Sequence, residues 1–223
     1  MITHASFSEQ GKRRHNEDAI KISLHNQTEC FVLCDGLGGE GNGHIASRIA
    51  VNEITHLFAN TLFSEHIEER ILEAIESAEK GIAAHIEADP TTQGMSTTLV
   101  ILVIHQDCAY IAHIGDSRLY LIRDGNILLE TQDHTVQQDG AYVLSKSVNG
   151  QFNPLKPTMQ PPIKLQANDV YFLCTDGVLE AVTHTFLIDC FLKYPIDKAM
   201  QRIIKQCRLY AKDNFSAIAV KVN

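Results

Sequence analysis

The chain has 223 residues, 44% of them apolar, which suffices for a substantial buried core. Acids outnumber Lys and Arg by 27 to 19, and the formal charge of −8 argues against nucleic acid as the main partner, because a phosphate backbone demands a basic face. The first 18 residues are charged throughout, no aliphatic run is long enough to span a bilayer, and the six cysteines form no Cys-x-x-Cys pair, so a cytoplasmic protein with reduced thiols and no membrane partner is expected.

In chain order, short strands are predicted at residues 2–7, 19–24 and 30–34. A helix follows over 43–62, with Ala46, Ala50, Ile54, Leu57 and Phe58 on one stripe. A second repeats Ile67, Ile71, Ile75, Ala78, Ile82 and Ile86 at three- and four-residue steps. Ser64 is its expected N-cap, with Glu65 in the first turn, and Asp89-Pro90 ends it. Closely spaced strands at 98–104, 108–114, 118–123 and 126–131 read as an antiparallel meander. Residues 136–162 lack periodicity and read as loop. A strand at 170–174, helices at 184–192 and 197–212, and a strand at 217–222 complete the chain. Strands joined to strands and helices joined to helices predict one α+β domain of antiparallel sheets with helices outside.

Two apolar runs end in the same dipeptide. Phe31-Val32-Leu33-Cys34 leads into Asp35-Gly36, and Tyr171-Phe172-Leu173-Cys174-Thr175 leads into Asp176-Gly177. Each delivers a carboxylate at a strand tip, followed by a glycine that lets the backbone approach a ligand. The dipeptide alone is weak, since Asp124-Gly125 sits between two strands as an ordinary hairpin turn and Asp139-Gly140 reads as another. Further acids, Glu17, Asp18, Asp116 and Asp213, also stand at strand ends or junctions. Gathered at one point they would repel unless a divalent cation neutralised them. Oxygen donors without paired His or Cys favour Mg²⁺ or Mn²⁺ over zinc.

Gly36-Leu37-Gly38-Gly39-Glu40-Gly41 also matches a dinucleotide fingerprint. The context does not fit. A second amphipathic helix follows where a parallel strand ending in an acid is needed, and Asp35 would repel a pyrophosphate.

The chain resembles the metal-dependent protein phosphatases of the protein phosphatase 2C type. The resemblance lies in seven segments spread in order over almost the whole chain. They are Arg13-x-x-Asn16-Glu17-Asp18, Asp35-Gly36-Leu37-Gly38-Gly39, Gly94-Met95-Ser96-Thr97-Thr98, Gly115-Asp116-Ser117-Arg118, Asp133-His134-Thr135, Thr175-Asp176-Gly177 and Asp213-Asn214. It implies a four-layer β-sandwich flanked by helices on both faces, with two Mn²⁺ or Mg²⁺ ions in a cleft at one edge. Asp35 would bridge the ions, Glu17 and the Gly36 carbonyl would serve one, and Asp176 and Asp213 the other. Asp18 would hold water on the metal, and Arg13 would hold the phosphoryl oxygens. Asp116, with Asp176, would serve a weaker third ion, and Glu180 is a further candidate there.

The activity implied is hydrolysis of phosphoserine and phosphothreonine in proteins by hydroxide bridging the two ions. The implied partners are a phosphoprotein substrate and a Ser/Thr kinase or its targets, with the chain a monomer. The alternative is an inactive relative that binds phosphoproteins. Two departures stand out. Leu37 occupies a position where some relatives carry the histidine that protonates the leaving group, so water, His44 or His134 would have to serve. Residues 136–144 are also shorter than the family's flap segment.

Overall fold

The uninterrupted apolar runs become the central strands of two stacked antiparallel sheets. The computed structural model describes residues 1–25, 28–38, 41–60, 66–138, 140–151 and 156–223. The first half contains β1 (Ile2–Glu9), β2 (Asp18–His25), β3 (Thr28–Leu37), α1 (Gly43–Asn60), α2 (Ile67–Ala88), β4 (Ser96–Thr97), β5 (Leu99–His105) and β6 (Cys108–Ile114). The second contains β7 (Arg118–Arg123), β8 (Asn126–Glu130), β9 (Thr135–Gln138), β10 (Ala141–Leu144), β11 (Thr158–Lys164), β12 (Val170–Cys174), α3 (Asp176–Leu179), α4 (His184–Lys193), α5 (Ile196–Tyr210) and β13 (Phe215–Val222). One sheet has the order β1-β13-β12-β7-β8 and the other, six-stranded, the order β11-β6-β5-β3-β2 with β4 also paired to β3.

Both faces of each sheet are covered, which is why the central strands show no polar alternation. Phe31 and Leu33 of β3, Val100 and Leu102 of β5, and Tyr171 and Leu173 of β12 meet in the core between the sheets. On the outer face of the six-stranded sheet, Cys30, Val32, Leu99 and Ile101 pack with Ala46, Ala50, Ile54, Ile71, Ile75 and Ile82 of α1 and α2. Val170, Phe172 and Cys174 pack in the same way with Leu187, Ala199, Met200 and Ile203 of α4 and α5. The layers are therefore α, β, β, α, as the resemblance implied.

One expectation is corrected. Residues 136–162 contain structure: β9 and β10 form a hairpin, and β11 is an edge strand on β6. The hairpin hides no face, Tyr142 being 77% exposed, so its sequence carries no burial period. Pro161 and Pro162 fall where the β11 register shifts between Gln160 and Ile163, at an edge that needs no further N–H donor. Asp124 and Gly125 have φ of 52° and 73°, the left-handed pair of a tight hairpin turn. The end of the first predicted helix at 61–62, its neighbour's Ser64–Glu65 cap and Asp139 lie outside the described residues. Among the described residues, no helix is long and apolar enough to cross a membrane.

Candidate metal centre

Antiparallel pairing of β2 with β3 sets Asp18 directly opposite Asp35. Glu17 stands one residue before β2, and its carbonyl accepts the Gly36 N–H at 3.1 Å. In the other sheet, Asp176 follows β12 and Asp213 precedes β13, the strand paired with it. The two sheets are joined here by Thr175, whose hydroxyl donates to Asp18 Oδ2 at 3.0 Å and accepts the Ser216 N–H at 3.0 Å. Both glycines of the repeated dipeptide are required by close approach. A Cβ on Gly36 would fall on the Gly43 carbonyl, and one on Gly177 on the Asn214 carbonyl.

These elements enclose a cleft of about 610 Å³ whose wall includes Glu17, Asp35, Gly36, Asp176 and Asp213, with Arg13 at its rim. Asp18 lies beneath, buried. Burial first, then repulsion from Asp176 and Asp213, pushes Asp18 up to about 7 against its bonds to Ser216 and Thr175. Burial and the surrounding Asp18, Asp176, Asp116 and Asp213 hold Asp35 well above the usual carboxylate range. Asp176 is raised by burial and by Asp213.

Glu17 Oε1, Asp18 Oδ1 and Asp176 Oδ1 are buried without a hydrogen-bond partner. An orphaned buried carboxylate oxygen is costly, and a hard divalent cation is the partner that an all-oxygen set suits. Among the described residues, the acids do not close into a group of three or more about one point. Instead the Arg13 guanidinium bonds Asp213 Oδ2 and offsets part of the charge. The residues fit Mg²⁺ or Mn²⁺ by donor chemistry, with Arg13 occupying one carboxylate.

The other candidates sit as follows. Asp116, in the turn between β6 and β7, is pushed up to about 6 by burial and by Asp176. Glu180 Oε2 accepts the backbone N–H of Lys212 at 2.6 Å, a bond that holds the approach to Asp213. Leu37 lines the cleft. His44 Nδ1 lies 2.6 Å from the Gly41 carbonyl, to which it donates. His134 has both ring nitrogens bonded, to Gly115 N–H and Thr158 Oγ1, and burial beside His113 pushes it down to about 4. A neutral ring with no free nitrogen is not a proton donor to a leaving group.

Sequence reasoning assigned no role to the polar residues beneath the acids. Thr98 Oγ1 accepts the Asp35 N–H at 2.9 Å and bonds Ser117 Oγ at 2.8 Å, while Thr97 Oγ1 donates to the Asp35 carbonyl at 2.9 Å. The side chain of Asn214 holds the segment that carries Arg13 and Glu17. Their signal was their place in the seven segments, which gives no partner.

A family model described as Protein phosphatase 2C matches residues 8–209. The serine/threonine protein phosphatase PstP of Mycobacterium tuberculosis is 26% identical over 240 residues; the match covers 100% of this chain but 45% of that protein. The serine/threonine phosphatase stp of Listeria welshimeri is 27% identical, the match covering 99% of this chain and 96% of the relative. A crystal structure of the PstP catalytic domain in complex with two manganese ions superposes with a TM-score of 0.87 at 25% identity, covering 100% of this chain and 99% of that one.

Proposed function

The chain belongs to the protein phosphatase 2C family, and from that membership we propose a Mn²⁺- or Mg²⁺-dependent phosphatase acting on phosphoserine and phosphothreonine in proteins. The observation that carries the reading is the set of partnerless buried oxygens on Glu17, Asp18 and Asp176 at a cleft with an arginine on its rim. Two manganese ions in the PstP catalytic domain support the choice of metal.

Glu17, Asp35, the Gly36 carbonyl, Asp176 and Asp213 would hold two ions, and Asp116 with Asp176 a weaker third. Bound there, the ions acidify water and offset the charge that builds on the phosphoryl oxygens. Arg13 exchanges its bond to Asp213 for the phosphoryl group, whose oxygens match its planar fork. Asp18, anchored by Thr175, orients water from below. Leu37 offers no proton and His134 is fully bonded, which leaves solvent or His44 to protonate the departing alkoxide. Glu180 serves the site by holding the backbone before Asp213. The proposed setting is cytoplasmic, with the catalytic domain acting as a monomer that opposes a Ser/Thr kinase on shared targets.

Hydrolysis of a phosphothreonine peptide tests this reading. Activity should require Mn²⁺ or Mg²⁺, vanish with chelator, and fall on the order of 10²-fold or more in Asp35→Asn and Asp176→Asn. Activity indifferent to chelator and to both substitutions would sink it. Metal binding and phosphopeptide capture without turnover would show a phosphoprotein-binding module instead.

A further inference from the structure

We propose that His134 is a positioning residue that fixes the Gly115–Asp116 turn and thereby sets the affinity of the accessory ion assigned above to Asp116. The inference rests on that assignment.

Both backbone hydrogen-bonding groups of Gly115 are bound by this one residue. The His134 N–H donates to the Gly115 carbonyl at 2.9 Å, and the Gly115 N–H donates to His134 Nδ1 at 3.1 Å. Because Nδ1 accepts, the ring proton sits on Nε2, which donates to Thr158 Oγ1 of β11 at 2.8 Å. The ring also stacks on His113, centroids 4.6 Å apart and planes 10° from parallel. Orientation and tautomer are therefore both determined.

The turn has no slack on its other side. Gly115 has φ +100°, and a Cβ there would press into the Thr98 side chain. Thr98 in turn accepts the Asp35 N–H and bonds Ser117. The turn that presents Asp116 is thus clamped between His134 and the threonine that seats Asp35. Release of the ring's bond lets Gly115 rotate and carries Asp116 away from Asp176. Residues that orient a metal ligand in this way commonly change affinity by 10- to 100-fold when replaced.

The experiment is a Mn²⁺ titration of metal-free protein, followed by calorimetry and by Mn²⁺ electron paramagnetic resonance. It compares wild type with Asp116→Asn, His134→Gln, His134→Asn and Thr158→Val. Asp116→Asn and His134→Gln should weaken the weakest ion by about tenfold or more, leaving the tighter pair unchanged. His134→Asn should restore it, because its Oδ1 falls where Nδ1 stood and accepts the same N–H. Thr158→Val, which frees the tautomer, should show a smaller loss in the same direction.

A normal weakest ion in His134→Gln, with Asp116→Asn impaired, overturns this inference alone. So does loss of the tight pair in His134→Gln, which would mark a merely structural role. A wild type without a third ion, or one unaffected by Asp116→Asn, overturns the accessory-ion assignment and this inference with it. If His134→Gln does not fold, an unchanged weakest ion in Thr158→Val overturns the inference.

Discussion

The side-chain amide of Asn214 accepts the Glu17 N–H at 2.9 Å and donates to the carbonyls of Gln10 and His15 at 2.6 and 2.8 Å. One residue of β13's approach therefore positions the segment that carries both Arg13 and Glu17. Asn214→Ala strands three backbone groups and should cost about 2–4 kcal/mol, at about 1–3 kcal/mol for each fully buried group less what water recovers. Urea denaturation gives the magnitude. Amide exchange should accelerate at residues 10–17, and unchanged exchange there would show the segment held by other means. Thr175→Val should act from the opposite sheet, removing the donor to Asp18 and leaving the Ser216 N–H without its acceptor. It should cost about 1–3 kcal/mol in the metal-free protein. Asn214 was legible only as part of Asp213-Asn214, because its three partners lie about 200 residues away in sequence.

At the scale of elements, the cleft depends on a relay from α2. Glu79 Oε2 accepts the N–H groups of Asn149 and Gly150 at 3.2 and 2.5 Å. Val148, just before them, exchanges two backbone bonds with Thr97 of β4, at 2.8 and 2.9 Å. Thr97 then donates to the Asp35 carbonyl. Glu79→Ala should destabilise by about 1–3 kcal/mol, and Glu79→Gln by less, since one acceptor remains. Chemical denaturation of both variants checks this, and equal stability of Glu79→Ala and wild type would show that the relay carries no weight. The β9–β10 hairpin lies at the other extreme. Tyr142→Ser should shift stability by no more than about 0.5 kcal/mol, because the ring is exposed. The helices were readable because each buries one stripe. The hairpin was not, because it buries none.

Across the whole molecule, the acids of the cleft make stability depend on pH. Asp18 is pushed up to about 7 and Asp116 to about 6, from an unfolded value near 3.8, with Asp35 and Asp176 raised as well. Each of these groups holds its proton more tightly folded than unfolded, so the folded state binds more protons between about pH 4 and 7. His113 and His134, held below their ordinary values by burial, act the other way over part of this window. Four raised acids outweigh two lowered imidazoles, so stability of the chelated protein falls as pH rises. Its Tm should be higher near about pH 5 than near about pH 8, and Mn²⁺ should raise it most at the alkaline end. A flat profile, or equal Mn²⁺ stabilisation at both ends, would show that the acids ionise in the fold without penalty.

The sequence by itself determined the central antiparallel strands, the helices outside them and the acids at the strand ends. The stacking of two sheets came with the family resemblance, and the edge strand β11 was missed. Burial on both sides leaves uninterrupted apolar runs, burial on one side leaves a helical stripe, and the acids stand where those runs stop. It also showed which Asp-Gly pair was a turn, because Asp124-Gly125 lies between strands short enough to form a hairpin. Only the tertiary structure decided how the acids are held. The pairing of Asp18 with Asp35, the Thr175 bond between sheets, the Arg13–Asp213 contact and the His134 clamp on Gly115 join distant parts of the chain. Hydrogen bonds between such segments leave no periodic trace in sequence, since their geometry exists only once the strands are stacked.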